Sequence, residues 1–212
     1  MRIEEHTVRF AGEAGDIETI VEDPGTPRGI ALVCHPHPLF GGANTNKVTQ
    51  TLARTFTRLG YVALRPNFRG VGGSAGTHAD GRGEAEDMLA VLDAARQTYG
   101  DLPVVLAGFS FGAYVQTRVA QALVAAGQPA QRLVLVGTAA GFVEGARQYD
   151  VQAVAADTLV IHGAVDTTVP LANVLAWAEP LDLPVVVVPG ADHFFHRRLH
   201  VIRDIVTRAW RH

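Results

Sequence analysis

Cysteine is almost absent from this sequence: Cys34 stands alone among 212 residues, so no intramolecular disulfide can form. Long apolar runs are missing too. Uninterrupted runs such as Leu133–Val136 and Val185–Val188 fall far short of the roughly 20 residues that span a bilayer, which sets a membrane anchor aside. The opening MRIEEHTVRF lacks the basic-then-apolar pattern of a secretory signal, and the expectation is a cytoplasmic protein. An excess of charge of either sign is also lacking. Eighteen basic residues spread along the chain against twenty-one acidic ones give a formal charge of −3, and without a clustered Lys/Arg face nucleic acid is set aside as a partner. No repeat and no low-complexity linker interrupts the chain.

What is present fits one globular domain over residues 1–212, with 48% hydrophobic and 18% charged residues. Short β-favouring segments at Thr7–Phe10 and Ile17–Val21 flank a glycine-containing loop and read as an antiparallel hairpin at a sheet edge. Gly29–Cys34 is continuously apolar, as a strand buried on both faces should be. From there strands and helices alternate. Lys47–Leu59 carries apolar residues at helical spacing and stops at Gly60. Strands are expected at Tyr61–Arg65, Val104–Ala107, Leu133–Val136, Thr158–Ile161 and Val185–Val188. Helices are expected at Glu84–Tyr99, Ala113–Ala126, Leu171–Trp177 and from about Phe195 to Trp210. This alternation predicts an α/β fold with a mostly parallel sheet covered by helices on both faces, its active residues in loops at the carboxyl ends of the strands.

Gly108-Phe109-Ser110-Phe111-Gly112 matches G-x-S-x-G between a buried strand and a helix, the setting in which that motif turns a serine out over the sheet. The flanking glycines let strand and helix approach closely, and the helix amino end favours developing negative charge. The plain alternative is a serine that merely caps the helix. A serine hydroxyl is a weak nucleophile until a histidine takes its proton and a carboxylate orients that histidine. In the chain order serine, acid, histidine, the loops after Thr158–Ile161 and Val185–Val188 supply Asp166 and His193. Asp192 adjoins the base too closely to reach its far ring nitrogen, and Asp182 precedes the last strand and so lies at the opposite edge. A tetrahedral oxyanion needs fixed donors. Phe111 N–H is the first. In the loop His35-Pro36-His37-Pro38-Leu39 the prolines have none to give, which leaves His37 N–H as the second and Leu39 N–H as a weaker alternative.

Two other readings compete. His35 and His37, joined by His193 and His196 on one helical face, would make a metal site, although no carboxylate or cysteine stands at a convincing spacing. Gly70-Val71-Gly72-Gly73-Ser74-Ala75 formally matches a dinucleotide fingerprint, but several residues intervene before the next helix. It reads instead as a turn-rich loop bordering the site, ordered by Arg69. Cys34 reads as a buried small hydrophobe.

CHPHPLFGG at Cys34–Gly42, Asn46-Lys47-Val48, RPNFRGVGGSAG at Arg65–Gly76, GEAEDM at Gly83–Met88, GFSFGA at Gly108–Ala113, HGAVDTTVP at His162–Pro170 and GADHFFHRRL at Gly190–Leu199 occur in order over most of the chain. With these segments the sequence resembles the small bacterial serine α/β-hydrolases that lack a lid, distant relatives of the dienelactone hydrolases. The resemblance implies the α/β-hydrolase fold with an N-terminal antiparallel edge, Ser110, Asp166 and His193 as nucleophile, acid and base, no cofactor and no metal. It also implies an open site, because Gly137–Asp157 is too short for a cap domain. Dienelactone hydrolases proper use a cysteine nucleophile, so their substrate is not carried over.

The expected chemistry is hydrolysis of small soluble or short-chain carboxylic esters through an acyl-enzyme. Thioesters, amides and transfer to another acceptor share its intermediates, and a non-catalytic binding protein on the same fold is the reading from another class. Phe40, Phe109, Phe111, Phe194 and Phe195 suggest an apolar pocket beside the site. The N-terminal edge strand suggests a homodimer.

Overall fold

A computed structural model gives the fold and describes residues 3–143 and 147–210. The chain begins with an antiparallel hairpin, β1 (Glu4–Gly12) and β2 (Gly15–Asp23), in which Gly12 pairs with Gly15 across a two-residue turn. Along β2 the residues Ile17, Thr19 and Val21 turn inward, the period-2 alternation of a strand with one covered face.

Strands and helices then alternate. β3 (Gly29–Cys34) is followed by α1 (Lys47–Arg58), β4 (Tyr61–Pro66), α2 (Arg82–Tyr99), β5 (Val104–Phe109), α3 (Phe111–Ala125) and β6 (Arg132–Val136). A small separate hairpin, β7 (Gly141–Val143) and β8 (Arg147–Tyr149), precedes β9 (Leu159–Gly163), α4 (Leu171–Ala178), β10 (Val185–Val188) and α5 (Leu199–Ala209). The main sheet has eight strands in the order β1-β2-β4-β3-β5-β6-β9-β10. β1 and β2 are its antiparallel part, and every pair from β4 to β10 is parallel.

The central strands read as unbroken apolar runs because both of their faces are covered. On β3, Ile30, Leu32 and Cys34 join Met88 and Leu92 of α2 and Val115 and Val119 of α3 in one core. Ala31 and Val33 point the other way, into a second core with Leu52 and Phe56 of α1 and Ile202 and Val206 of α5. Cys34 is thus a core side chain, and burial pushes its thiol pKa up and out of reactive range. Caps fix the helix starts. The Asn46 side chain accepts from Val48 N–H at 2.9 Å, and α1 ends before Gly60 at φ +90°.

Three features depart from the sequence expectation. The first is at α2 and α3, each of which starts two residues early, α2 because the Glu84 carboxylate reaches back to Gly81 N–H at 2.8 Å and α3 because the helix springs directly from Ser110. The second is the β7–β8 hairpin, whose three-residue strands are too short to show a period. The third is the closing helix, which begins at Leu199 rather than near Phe195. Phe195 and Arg197 adopt φ +52° and +59°, so residues 195–198 form turns, with the Phe195 ring fully buried in the second core. Burying that aromatic outweighs the helical pattern of which it is part.

Candidate active site

β5 ends at the sheet's carboxyl edge and α3 leaves it at once, so Ser110 occupies a turn with φ 56° and ψ −119°. Such a conformation is strained for any residue but glycine. It is held by Ser110 N–H donating to Val136 O at 2.9 Å and by the Ser110 carbonyl accepting from Ala113, Tyr114 and Ala139 N–H. The flanking glycines are steric necessities. A Cβ on Gly108 would lie 2.4 Å from Gly112 O, and one on Gly112 would lie 2.4 Å from His35 O. The Ser110 side chain makes no capping bond to α3, which disposes of the reading that it serves as a helix cap.

Ser110 Oγ instead stands 3.0 Å from His193 Nε2, and His193 Nδ1 stands 2.7 Å from Asp166 Oδ2. The carboxylate requires a proton on Nδ1, which leaves the Nε2 lone pair to accept from the serine hydroxyl. All three side chains are nearly enclosed. Asp166 follows β9, and its Oδ1 accepts from Thr168 N–H at 3.0 Å and Val169 N–H at 2.8 Å, which fixes the plane of the carboxylate. His193 follows β10 in a loop braced by Val165 N–H donating to Ala191 O. Asp192 is committed elsewhere: it binds His196 through Nδ1 at 2.6 Å and N–H at 3.0 Å, and those bonds pull its pKa down.

The sequence reading overlooked His162, at the end of β9. It is fully buried, its Nε2–H donates to Val169 O at 3.0 Å, and the same nitrogen lies 3.5 Å from Asp166 Oδ2. Burial holds its pKa low, so a neutral ring rests against the acid. Its place four residues before Asp166 was the available signal.

The loop after β3 approaches the other side of Ser110. His35 Nδ1–H donates to Pro36 O at 2.6 Å within its own loop, and its Nε2 accepts from Phe68 N–H at 2.9 Å, tying the β3 loop to the β4 loop. Burial pushes its pKa down to about 4. With neither nitrogen left over, His35 is no metal ligand. His193 and His196 sit in turns rather than on a helix, and no cluster of three metal-ligating side chains occurs among the described residues. Leu39 N–H is taken by the His37 ring at 3.2 Å. Phe111 N–H lies at the first position of α3, and neither it nor His37 N–H has a hydrogen-bond acceptor among the described residues. The His37 ring lies tilted against Phe111 with the centroids 4.8 Å apart, and burial together with nearby His78 and Arg147 brings its pKa to about 4.

The glycine-rich loop is filled by the protein's own acids. Glu18 accepts from Gly73 N–H at 2.7 Å, and Glu84, fully buried at the start of α2, accepts from Ala79 and Gly81 N–H. Arg69 anchors the loop through a two-pronged bond to Asp87, both distances 2.8 Å. Within Gly70–Ala75 the N–H groups of Gly70, Val71, Gly73, Ser74 and Ala75 are taken by internal acceptors, which leaves little for a dinucleotide phosphate. The expected apolar pocket also needs correction. Phe109, Phe111 and Phe195 are core residues, while Phe40 and Phe194 are exposed. A cleft of about 510 Å³ does open next to Phe111, between His37, Tyr114 and the β7–β8 hairpin, but its lining is mixed, with Arg82, Arg118 and Arg147 among it.

Comparison with known proteins places the fold in a family. The family described as alpha/beta hydrolase fold matches residues 32–184. A serine hydrolase without a lid from Xanthomonas campestris is 35% identical, with 100% of this chain and 95% of that one covered at a TM-score of 0.86. An alpha-beta serine hydrolase homologue from Coxiella burnetii is 37% identical, covering 98% and 97% at 0.82. An uncharacterized protein of Rickettsia prowazekii is 42% identical over 110 residues, which span 51% of this chain and a little under half, 46%, of that curated relative. The region where a lid would be inserted holds only the β7–β8 hairpin among its described residues. With its eight-stranded sheet, this chain belongs to the α/β-hydrolase family, among the serine hydrolases that lack a lid.

Proposed function

We propose that this protein hydrolyses small or short-chain carboxylic esters through an acyl-enzyme on Ser110. The observation that carries the reading is the continuous hydrogen-bonded chain from Ser110 Oγ through His193 to Asp166, at 3.0 and 2.7 Å, on a serine turned out of the α3 cap. His193 Nε2 takes the hydroxyl proton as Oγ attacks the carbonyl carbon, and Asp166 stabilises the imidazolium. The oxyanion is held by Phe111 N–H and His37 N–H, two donors beside Ser110 that have no acceptor among the described residues. Collapse expels the alkoxide, which receives the proton from His193. Water, deprotonated by His193, then releases the acid and restores the serine. Each proton transfer runs through His193 Nε2, to or from the Ser110 hydroxyl, the leaving alkoxide or water.

The test is hydrolysis of p-nitrophenyl acetate and butyrate, with fluorophosphonate labelling, by the wild type and by Ser110→Ala and His193→Ala. Loss of turnover in both variants and of labelling in Ser110→Ala is expected. A wild type that neither turns over esters nor labels would overturn the proposal in favour of a binding protein. A cytoplasmic location and a homodimer through β1 belong to the same proposal, the latter because β1 bonds to β2 along one edge only. Sedimentation velocity giving a monomer would remove the dimer.

A further inference from the structure

The cleft beside Phe111 has a charge that the chain as a whole does not. Over 212 residues the formal balance is −3, yet three guanidiniums, from Arg82, Arg118 and Arg147, border this one opening, with Asp80 the one acid among the described residues that line it. Neither Arg82 nor Arg118 has a carboxylate partner among the described residues. Arg118 is preorganised. Its Nη2 donates to Tyr114 Oη at 2.6 Å, its guanidinium lies 4.9 Å from the Tyr114 ring centroid, and its Nε is buried without a partner. Arg147 comes in from β8 and rests over the Phe40 ring at 4.1 Å. Asp80 leans toward His78 Nε2 at 3.4 Å.

We propose that this cleft binds an anionic group of the substrate, so that the preferred esters carry a carboxylate or phosphate some bonds away from the scissile carbonyl. The inference rests on the ester-hydrolase reading and adds a substrate class to it. Tyr114 links the two places: its N–H bonds the Ser110 carbonyl, and its ring and hydroxyl hold Arg118 at the cleft. Eight residues of α3 raise the Arg118 backbone about 12 Å from that of Ser110, so an anion gripped there belongs to a part of the substrate other than the reacting carbonyl and acts by binding and orientation. A planar, permanently charged fork is the side chain suited to grip a carboxylate or phosphate, and an apolar acyl chain would gain nothing from Arg82 and Arg118.

The experiment compares mono-p-nitrophenyl adipate with its neutral methyl ester, each corrected for uncatalysed hydrolysis. Aryl acetates with a carboxylate, a phosphate or no charge on the leaving group distinguish acyl-side from alcohol-side anions and one anion from the other. In the wild type an anionic ester is expected to exceed its neutral partner at least tenfold in kcat/KM, and the ratio to fall as salt is raised. The ratio is also expected to fall several-fold in Arg82→Gln, an exposed site, and further in Arg82→Gln/Arg118→Gln. Salt dependence of the unaltered protein needs no variant to fold. An enzyme that labels at Ser110 and hydrolyses esters with no anionic preference, or with one indifferent to salt and to both substitutions, overturns this inference alone. A protein that neither labels nor turns over any ester overturns the hydrolase reading beneath it.

Discussion

Replacing Asp166 by Asn tests the site at its most determinate point, because the structure dictates how the new amide must lie. Two backbone N–H groups, from Thr168 and Val169, point at Oδ1 from 3.0 and 2.8 Å and will hold the amide oxygen of Asn there. The NH2 group is then forced into the Oδ2 position, 2.7 Å from His193 Nδ1. A donor facing Nδ1 makes that nitrogen an acceptor, so the ring proton moves to Nε2, which faces Ser110 Oγ at 3.0 Å. Nε2 can no longer receive the serine proton. In serine hydrolase triads this inversion lowers kcat by about 10⁴, or about 5.5 kcal/mol of transition-state stabilisation. The packing around the side chain barely changes, so stability should shift little. The assay is steady-state hydrolysis of p-nitrophenyl acetate by folded variant and wild type, with urea unfolding as the control. An Asp166→Asn protein that keeps more than about a tenth of wild-type kcat would refute the reasoning, since a base in the wrong tautomer cannot act so well.

Three other outcomes follow from particular contacts. Ser110→Gly removes the strain of a Cβ at φ 56° and should raise stability by about 1 kcal/mol while abolishing turnover, which urea unfolding and the ester assay report together. His35 is buried neutral with a pKa near about 4, below the value of an exposed histidine, so the unfolded chain binds the extra proton first as pH falls. Stability should therefore decline from about pH 6.5 down to about pH 4, on the order of 3 kcal/mol in total, and the decline should shrink in His35→Gln, as read from denaturation midpoints across that range. Arg65 is buried on β4 with its Nη2 2.9 Å from Glu22, itself buried with a pKa that burial raises. Arg65→Met leaves that carboxylate unpaired and should cost about 3–5 kcal/mol in urea unfolding, part of it regained when Glu22→Gln is added.

The sequence by itself determined the strand and helix alternation, since β3, β4 and β5 are covered on both faces and can only be built from near-continuous apolar residues. It also pointed to Ser110, Asp166 and His193, because a strand-to-helix turn flanked by glycines and two loops at the same sheet edge are local patterns joined by a rule of chain order. Only the tertiary structure decided what lies across space from what. Ser110 and His193 meet over a sequence separation of 83 residues, and the arginines around the cleft and the Phe195 turn leave no periodic mark. The β7–β8 hairpin is too short for one, and the aromatic residues near the motifs were divided between core and surface by packing from both sides of the sheet. Periodicity records which face of an element is buried, whereas the contacts that give a cleft its charge depend on elements brought together by the closing of the whole core.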